Sequence, residues 1–166
     1  MRRISFAEFG GPSVLRLSEA DEPQPDRDQI RIRVRAAGVN PVDWRFREGQ
    51  RQKTHPIELH SGTGQDAAGI VDDIGPGVDG VNPGDHVFGR GFDTYAESAI
   101  LTSWAPIPEG MSFEEAAGYP SVVETALRAI REVAVQPGET LLINGASGGV
   151  GTAAVQIGRA SCRERV

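Results

Sequence analysis

The run Asn144–Gly151 reads N-G-A-S-G-G-V-G, and its residue types and spacing point to phosphate chemistry. Ala146-x-Gly148-x-x-Gly151 has the form of a dinucleotide fingerprint with alanine in place of the first glycine. The small residues Ala146, Ser147, Gly148, Gly149, Val150 and Gly151 let a backbone approach a pyrophosphate closely. A helix opening there offers unpaired N–H groups and the positive end of its dipole. An ordinary glycine-rich turn would have the same composition. The flanks favour nucleotide binding: Thr140–Asn144 is a short apolar run expected to be a strand after a Pro137-Gly138 turn, and Thr152–Gln156 suits a helix.

The elements needed to support such a bend are a βαβ unit of about 30 residues and further parallel strands. Only fifteen residues follow Gly151. The residue that reads the adenosine ribose, expected about 20 positions on, therefore falls outside the sequence. Residues Ile157–Val166 resemble the translation of a sequencing-adapter oligonucleotide. They are expected to be a non-native tail, with the native reading ending near Gln156. The source DNA read past codon 156 checks this.

Composition narrows the function class. Of 166 residues, 39% are hydrophobic, and 21 glycines and 11 prolines imply many turns between short strands. The net charge of −6 argues against a nucleic-acid or anionic-membrane partner. The single cysteine, Cys162, lies in the suspect tail, which leaves the rest with no disulfide framework or cysteine metal site. No apolar run is long enough to span a membrane, and the start lacks the apolar core of a signal peptide, so a cytoplasmic location is expected.

Residues 1–107 read as a β domain. Arg3–Phe9 and Val14–Ser18 are expected strands around a turn at Gly10–Ser13. Ile30, Ile32, Val34 and Ala36 alternate with Arg31, Arg33 and Arg35, the pattern of a half-buried strand. The arginine row suits either a phosphate patch or a solvated sheet face, and the acidity of the chain favours the second. Asn40-Pro41 opens a short helix, Val42–Glu48, before Gly49. Ala67–Ile74, His86–Phe88 and Thr94–Leu101 are further strands, whose spacing suggests a small barrel or sandwich. The pattern changes near residue 108. Ser112-x-x-Glu115 is a capping box for a helix over Phe113–Gly118, and Pro120 opens another with Val122, Val123, Ala126, Leu127, Ile130 and Val133 on one face. The expected fold is α+β: an N-terminal β domain (1–107), the beginning of an α/β nucleotide domain (108–156), and the tail (157–166).

The order of four motifs resembles the medium-chain dehydrogenase/reductase superfamily, in its zinc-free quinone oxidoreductase (zeta-crystallin-like) branch. These are Ala36–Asp43 (A-A-G-V-N-P-V-D), Gly64–Val71 (G-Q-D-A-A-G-I-V), Pro83–Val87 (P-G-D-H-V) and Asn144–Gln156. The resemblance implies a GroES-like β domain followed by an incomplete Rossmann domain, with the active site in the cleft between them. It also implies a homodimer at full length, and use of NADPH, with NADH not excluded, to reduce a quinone or enone. Zinc-dependent members carry Cys where Asn40 stands and His where Gln65 stands. Neutral amides are poor zinc ligands, and His55, His60 and His86 are scattered singly, so no metal is expected.

Following the resemblance, Asn40 would line the nicotinamide pocket and Asp43 would order its loop. Trp44 would form part of an aromatic substrate wall, and Thr125 would lie near the nicotinamide amide. Taken alone, Asn40 and Asp43 equally suit turn and cap chemistry, and Trp44 plain packing. A quinone is already an electrophile, so proximity and orientation would do most of the work, with no dedicated catalytic acid. Two other readings share the architecture: an enoyl-thioester reductase and a non-enzymatic GroES-like interaction module. The glycine bend, which an interaction module does not need, counts against the last. The 166 residues by themselves are expected to be inactive, because a parallel strand needs neighbours on both sides.

Overall fold

The computed structural model describes residues 1–136 and 138–162. The expected turn at Pro137 and the last four tail residues lie outside the described residues. The chain divides into two compact units, the first Met1–Pro120 and the second beginning at Ser121.

The first unit is built on antiparallel strands. β1 (Arg2–Phe6) pairs with β2 (Arg16–Glu19). β3 (Ile30–Gly38) shows the expected alternation: Ile30 and Ile32 are fully buried, while Arg33 and Arg35 are exposed. α1 (Pro41–Arg47) follows, with Asn40 as its N-cap and Pro41 at its first position. β4 (Ser61–Gly62) pairs with the far side of β1. β5 (Asp66–Ile74), β6 (His86–Phe92) and β7 (Ser98–Pro106) join β3 in a closed barrel of order β3-β5-β6-β7. Closure satisfies both edges of every strand in it. Ile30, Ile32, Val71, Val87 and Leu101 fill the interior.

The arginine row on β3 faces acids. Arg31 Nε donates to Asp72 at 2.9 Å, with Asp73 and Glu22 also within ion-pair range, and Arg33 Nε reaches the same Asp72 at 3.3 Å. The charges on Arg31 and Arg33 are therefore neutralised by neighbours on the sheet, which supports the sheet-face reading over the phosphate patch. A further strand begins later than expected. Thr94 and Tyr95 are taken up in bonds to Gly64 and Thr63, so the ladder of β7 starts at Ser98 opposite Arg33. α2 (Phe113–Ala117) carries the predicted capping box, Ser112 Oγ accepting from Glu115 N and Glu115 accepting from Ser112 N. Its Ala116 and Ala117 pack against Ala68, Ala36 and Phe88, so the first unit extends beyond the last strand.

The second unit holds most of α3 (Pro120–Val133) and α4 (Gly149–Cys162). Ala134, just past α3, has a left-handed backbone at φ +50°. Ala126, Ile130, Ala153 and Ala154 form its core, with Leu141, Ile143 and Ile157 against them. The strand expected over Thr140–Asn144 does not form: 140–143 have no regular assignment and Asn144 is in a turn. A strand exists by its ladder, and the described residues supply this segment with no partner. The helix opened by the glycine bend runs past Gln156 to Cys162.

Candidate functional site

The chain leaves the barrel at the end of β3 and turns at once into α1, which places Asn40, Asp43 and Trp44 at one barrel end. Asp43 Oδ2 accepts from the Asn40 backbone N–H at 2.7 Å, tying the first turn of α1 to its cap. The same oxygen accepts from the Tyr95 hydroxyl at 2.8 Å. Asp43 is 6% exposed, and its Oδ1 is buried with no hydrogen-bond partner among the described residues. Burial raises its pKa above the ordinary carboxylate value. The bonds from Asn40 and Tyr95 oppose that shift, Asp66 adds to it and Arg90 opposes it. The Tyr95 phenol is pushed up by burial first and by the Asp43 carboxylate next.

A second set of polar side chains meets at the same end. Asp66 on β5 stands directly opposite Arg90 on β6 in the strand register, and opposite Gly38 of β3 on its other side. Its side chain is 1% exposed and lies 3.9 Å from Arg90 Nε. Asn40 Nδ2 donates to Asp66 Oδ2 at 2.9 Å, and Arg90 Nη2 donates to Gln65 Oε1 at 2.6 Å. The two amides expected to exclude a metal are thus engaged with an ion pair. Among the described residues no group of three His, Cys, Asp or Glu side chains could hold a metal ion.

Trp44 is 38% exposed, with the Arg45 guanidinium 5.5 Å from its ring centroid. A cavity of about 50 Å³ beneath α1 is lined by Asp43, Phe46, Ile57, Thr63, Gln65 and Phe92. Ligand pockets run to roughly 300–1,000 Å³, so this space suits water rather than a quinone ring.

Thr125 and the glycine bend belong to the second unit. Thr125 is half-buried on α3, one residue before the fully buried Ala126. The bend turns at Gly145, whose φ is +77°, and closes with Gly148 N donating to Gly145 O at 3.1 Å. Thr152 fastens the start of α4 through its N–H to Gly148 O at 2.8 Å and its hydroxyl to Ala146 O at 3.2 Å. A Cβ at Gly151 would collide with Gly145 O and come within 2.7 Å of Ala146 Cα. Only glycine allows the helix to start so close beneath the bend. Ala146, Ser147, Gly148, Gly149 and Val150 are exposed. This exposed bend opening a helix of 14 residues fits a phosphate-bearing cofactor. An open apolar groove of about 570 Å³ lies beside it, between α3 residues Ala126 and Ile130 and the segment around Leu141.

The structure thus brings Asn40 and Asp43 together and adds Gln65, Asp66, Arg90 and Tyr95 to them. Gln65 had a role in the sequence only as a metal-excluding amide, and Asp66 only as part of a motif. Tyr95 and Arg90 carry no local signal, since their partners lie 52 and 25 residues away.

Residues 26–118 match the family model described as the alcohol dehydrogenase GroES-like domain. The chain is 40% identical to the quinone oxidoreductase of Rattus norvegicus, over 96% of this chain and 50% of the relative. Among solved structures, the Escherichia coli quinone oxidoreductase complexed with NADPH superposes with a TM-score of 0.80 at 32% identity, over 98% of this chain and 50% of that one. The CurK enoyl reductase superposes with a TM-score of 0.85 at 28% identity, over 97% and 52%. The chain spans about half the length of the curated relatives it matches.

Proposed function

From the premise that this chain belongs to the alcohol dehydrogenase GroES-like domain family, we propose that the whole protein transfers a hydride from NADPH to a quinone or other conjugated carbonyl without bound zinc. The observation that carries the reading is the glycine bend. It opens α4 with no room for a Cβ at Gly151, a construction that binds phosphate and that a pure interaction module does not need. The similarity to quinone oxidoreductases, one of them solved with NADPH, supports it.

In this reading Ala146–Gly151 hold the pyrophosphate. Asn40 and Thr125 orient the nicotinamide, Asp43 fixes the loop that carries Asn40, and Trp44 forms part of the substrate wall. NADPH, when bound, supplies the hydride. The chain's own residues align the reactants, and the reduced quinone takes its proton from solvent. Residues 108–156 begin the nucleotide domain and 157–166 are foreign to it. The whole protein is a cytoplasmic homodimer with no nucleic-acid or membrane partner, and no helix described here is long and apolar enough to cross a membrane. The 166 residues alone are inactive in this reading, since the apolar run 140–143 has no ladder partner among the described residues. The likeness to an enoyl reductase favours a second substrate class, enoyl thioesters, within the same chemistry.

The test is the whole protein, expressed from its uninterrupted gene. NADPH should bind and be oxidised by a benzoquinone, with Gly151→Val abolishing both. Turnover of a crotonyl thioester but not of quinones would shift the reading to the second class, and stoichiometric zinc in the purified protein would overturn it. Micromolar NADPH affinity in the 166-residue chain would refute its inactivity.

A further inference from the structure

The contacts of Asp66 bear on which edge of the Asn40 amide a ligand meets. Asp66 is wholly buried. A carboxylate only accepts hydrogen bonds, whereas an amide has a donor edge and an acceptor edge. The edge of Asn40 lying 2.9 Å from Asp66 Oδ2 must therefore be Nδ2. The flipped amide would set two acceptors against each other in a site with little water to separate them.

Asp66 has neighbours on two sides. Arg90 faces it across the β5–β6 pair and is anchored by Gln65. On the β3 side its register partner is Gly38, where a Cβ would come within 2.9 Å of Asp66 Cβ and would clash with the Ala117 carbonyl. The absence of a Cβ at Gly38 leaves room for the Asp66 side chain beside β3, where its carboxylate reaches the Asn40 amide.

We infer that Asp66 is a positioning residue: its carboxylate locks the Asn40 amide with the Nδ2 donor edge inward and Oδ1 turned away from it. The link to nicotinamide rests on the functional reading above; the locked amide does not.

The experiment therefore has two arms. The chain has three asparagines, Asn40, Asn82 and Asn144, and the last two are exposed, so the side-chain amide signals of an asparagine-labelled 166-residue sample form a small set. Asn40 Nδ2 protons should exchange at least about tenfold more slowly than those of Asn82 and Asn144, as expected for a partly buried bond to a carboxylate. Asp66→Ala, which leaves no acceptor for Asn40 Nδ2, should remove the difference while leaving the β3 and β5 backbone signals in place. Exchange of Asn40 as fast as the other two in the unaltered chain overturns the inference without any variant.

In the whole protein, Asp66→Ala should lower the rate of hydride transfer about 10-fold to 100-fold, with the quinone KM changed less than about threefold, the pattern of lost alignment. An active whole protein whose hydride step ignores Asp66→Ala overturns the positioning role. A wild-type protein inactive toward quinones and enones counts against the functional reading alone, and amide exchange then decides the locked amide by itself.

Discussion

In the first unit four strands close on themselves around Ile30, Ile32, Val71, Val87 and Leu101, none more than 1% exposed. In the second, the buried hydrophobic residues among those described are three alanines and Ile130, while Leu142 is 91% and Val133 63% exposed. Antiparallel strands joined by short turns find their partners nearby and need nothing else to complete a barrel. An α/β unit must bring parallel strands from far along the chain, and each strand wants cover on both faces. The apolar run 140–143 has the composition of such a strand but no ladder partner among the described residues. Sequence pattern therefore signals the element in both units, and only in the first is the hydrogen bonding that realises it present.

Four changes would break or sharpen this contrast. Leu101→Ala empties a fully buried site in the barrel and should cost about 2–5 kcal/mol of the first unit's stability, measured by urea unfolding. Amide exchange in α3 and α4 should be unaffected if the units open separately. Slowed or hastened exchange there would show that they unfold as one. Ser112→Ala removes the Oγ acceptor of the α2 cap and should cost about 1 kcal/mol in the same assay, again confined to the first unit.

Asp43 gives a pH test. Its folded pKa lies above the ordinary value of 3.8 because it is buried, so the folded state holds that proton more tightly than the unfolded one. The stability this contributes is full below the unfolded value and is lost as pH rises through the folded one. Asp43→Asn keeps an acceptor for Tyr95 and Asn40 and should flatten the decline above pH 3.8, followed by thermal melts across that range. An unchanged slope would place the decline elsewhere, with the half-buried Asp93, whose pKa is raised for the same first reason, the next candidate. The smallest thermodynamic effect belongs to Leu142→Lys. It should alter stability by less than about 0.5 kcal/mol yet reduce binding of a hydrophobic dye by the chain, because Leu142 is 91% exposed and lines the apolar groove beside α3.

Where the fold was legible, the reason is local. Strict alternation over Ile30–Ala36 marks β3, since a period of two places every second residue in the barrel interior. Ser112 and Glu115 mark α2 because their two bonds close within three residues. The start of β7 was misjudged because Thr94 and Tyr95 are alike in composition to strand residues but are bonded by the 63–64 loop. The candidate site was half legible. Asn40 and Asp43 share a cap, a short-range pattern. The Asp66–Arg90 pair depends on the register of β5 against β6, which no local spacing encodes.

Ala134 carries a practical consequence. A left-handed residue closing a helix is the place where natural proteins most often put glycine, and a side chain there costs about 1 kcal/mol. Selection has left an unrelieved conformational burden where α3 ends. Ala134→Gly is thus a route to a sturdier sample for crystallisation or spectroscopy, gained without touching any group assigned to the chemistry.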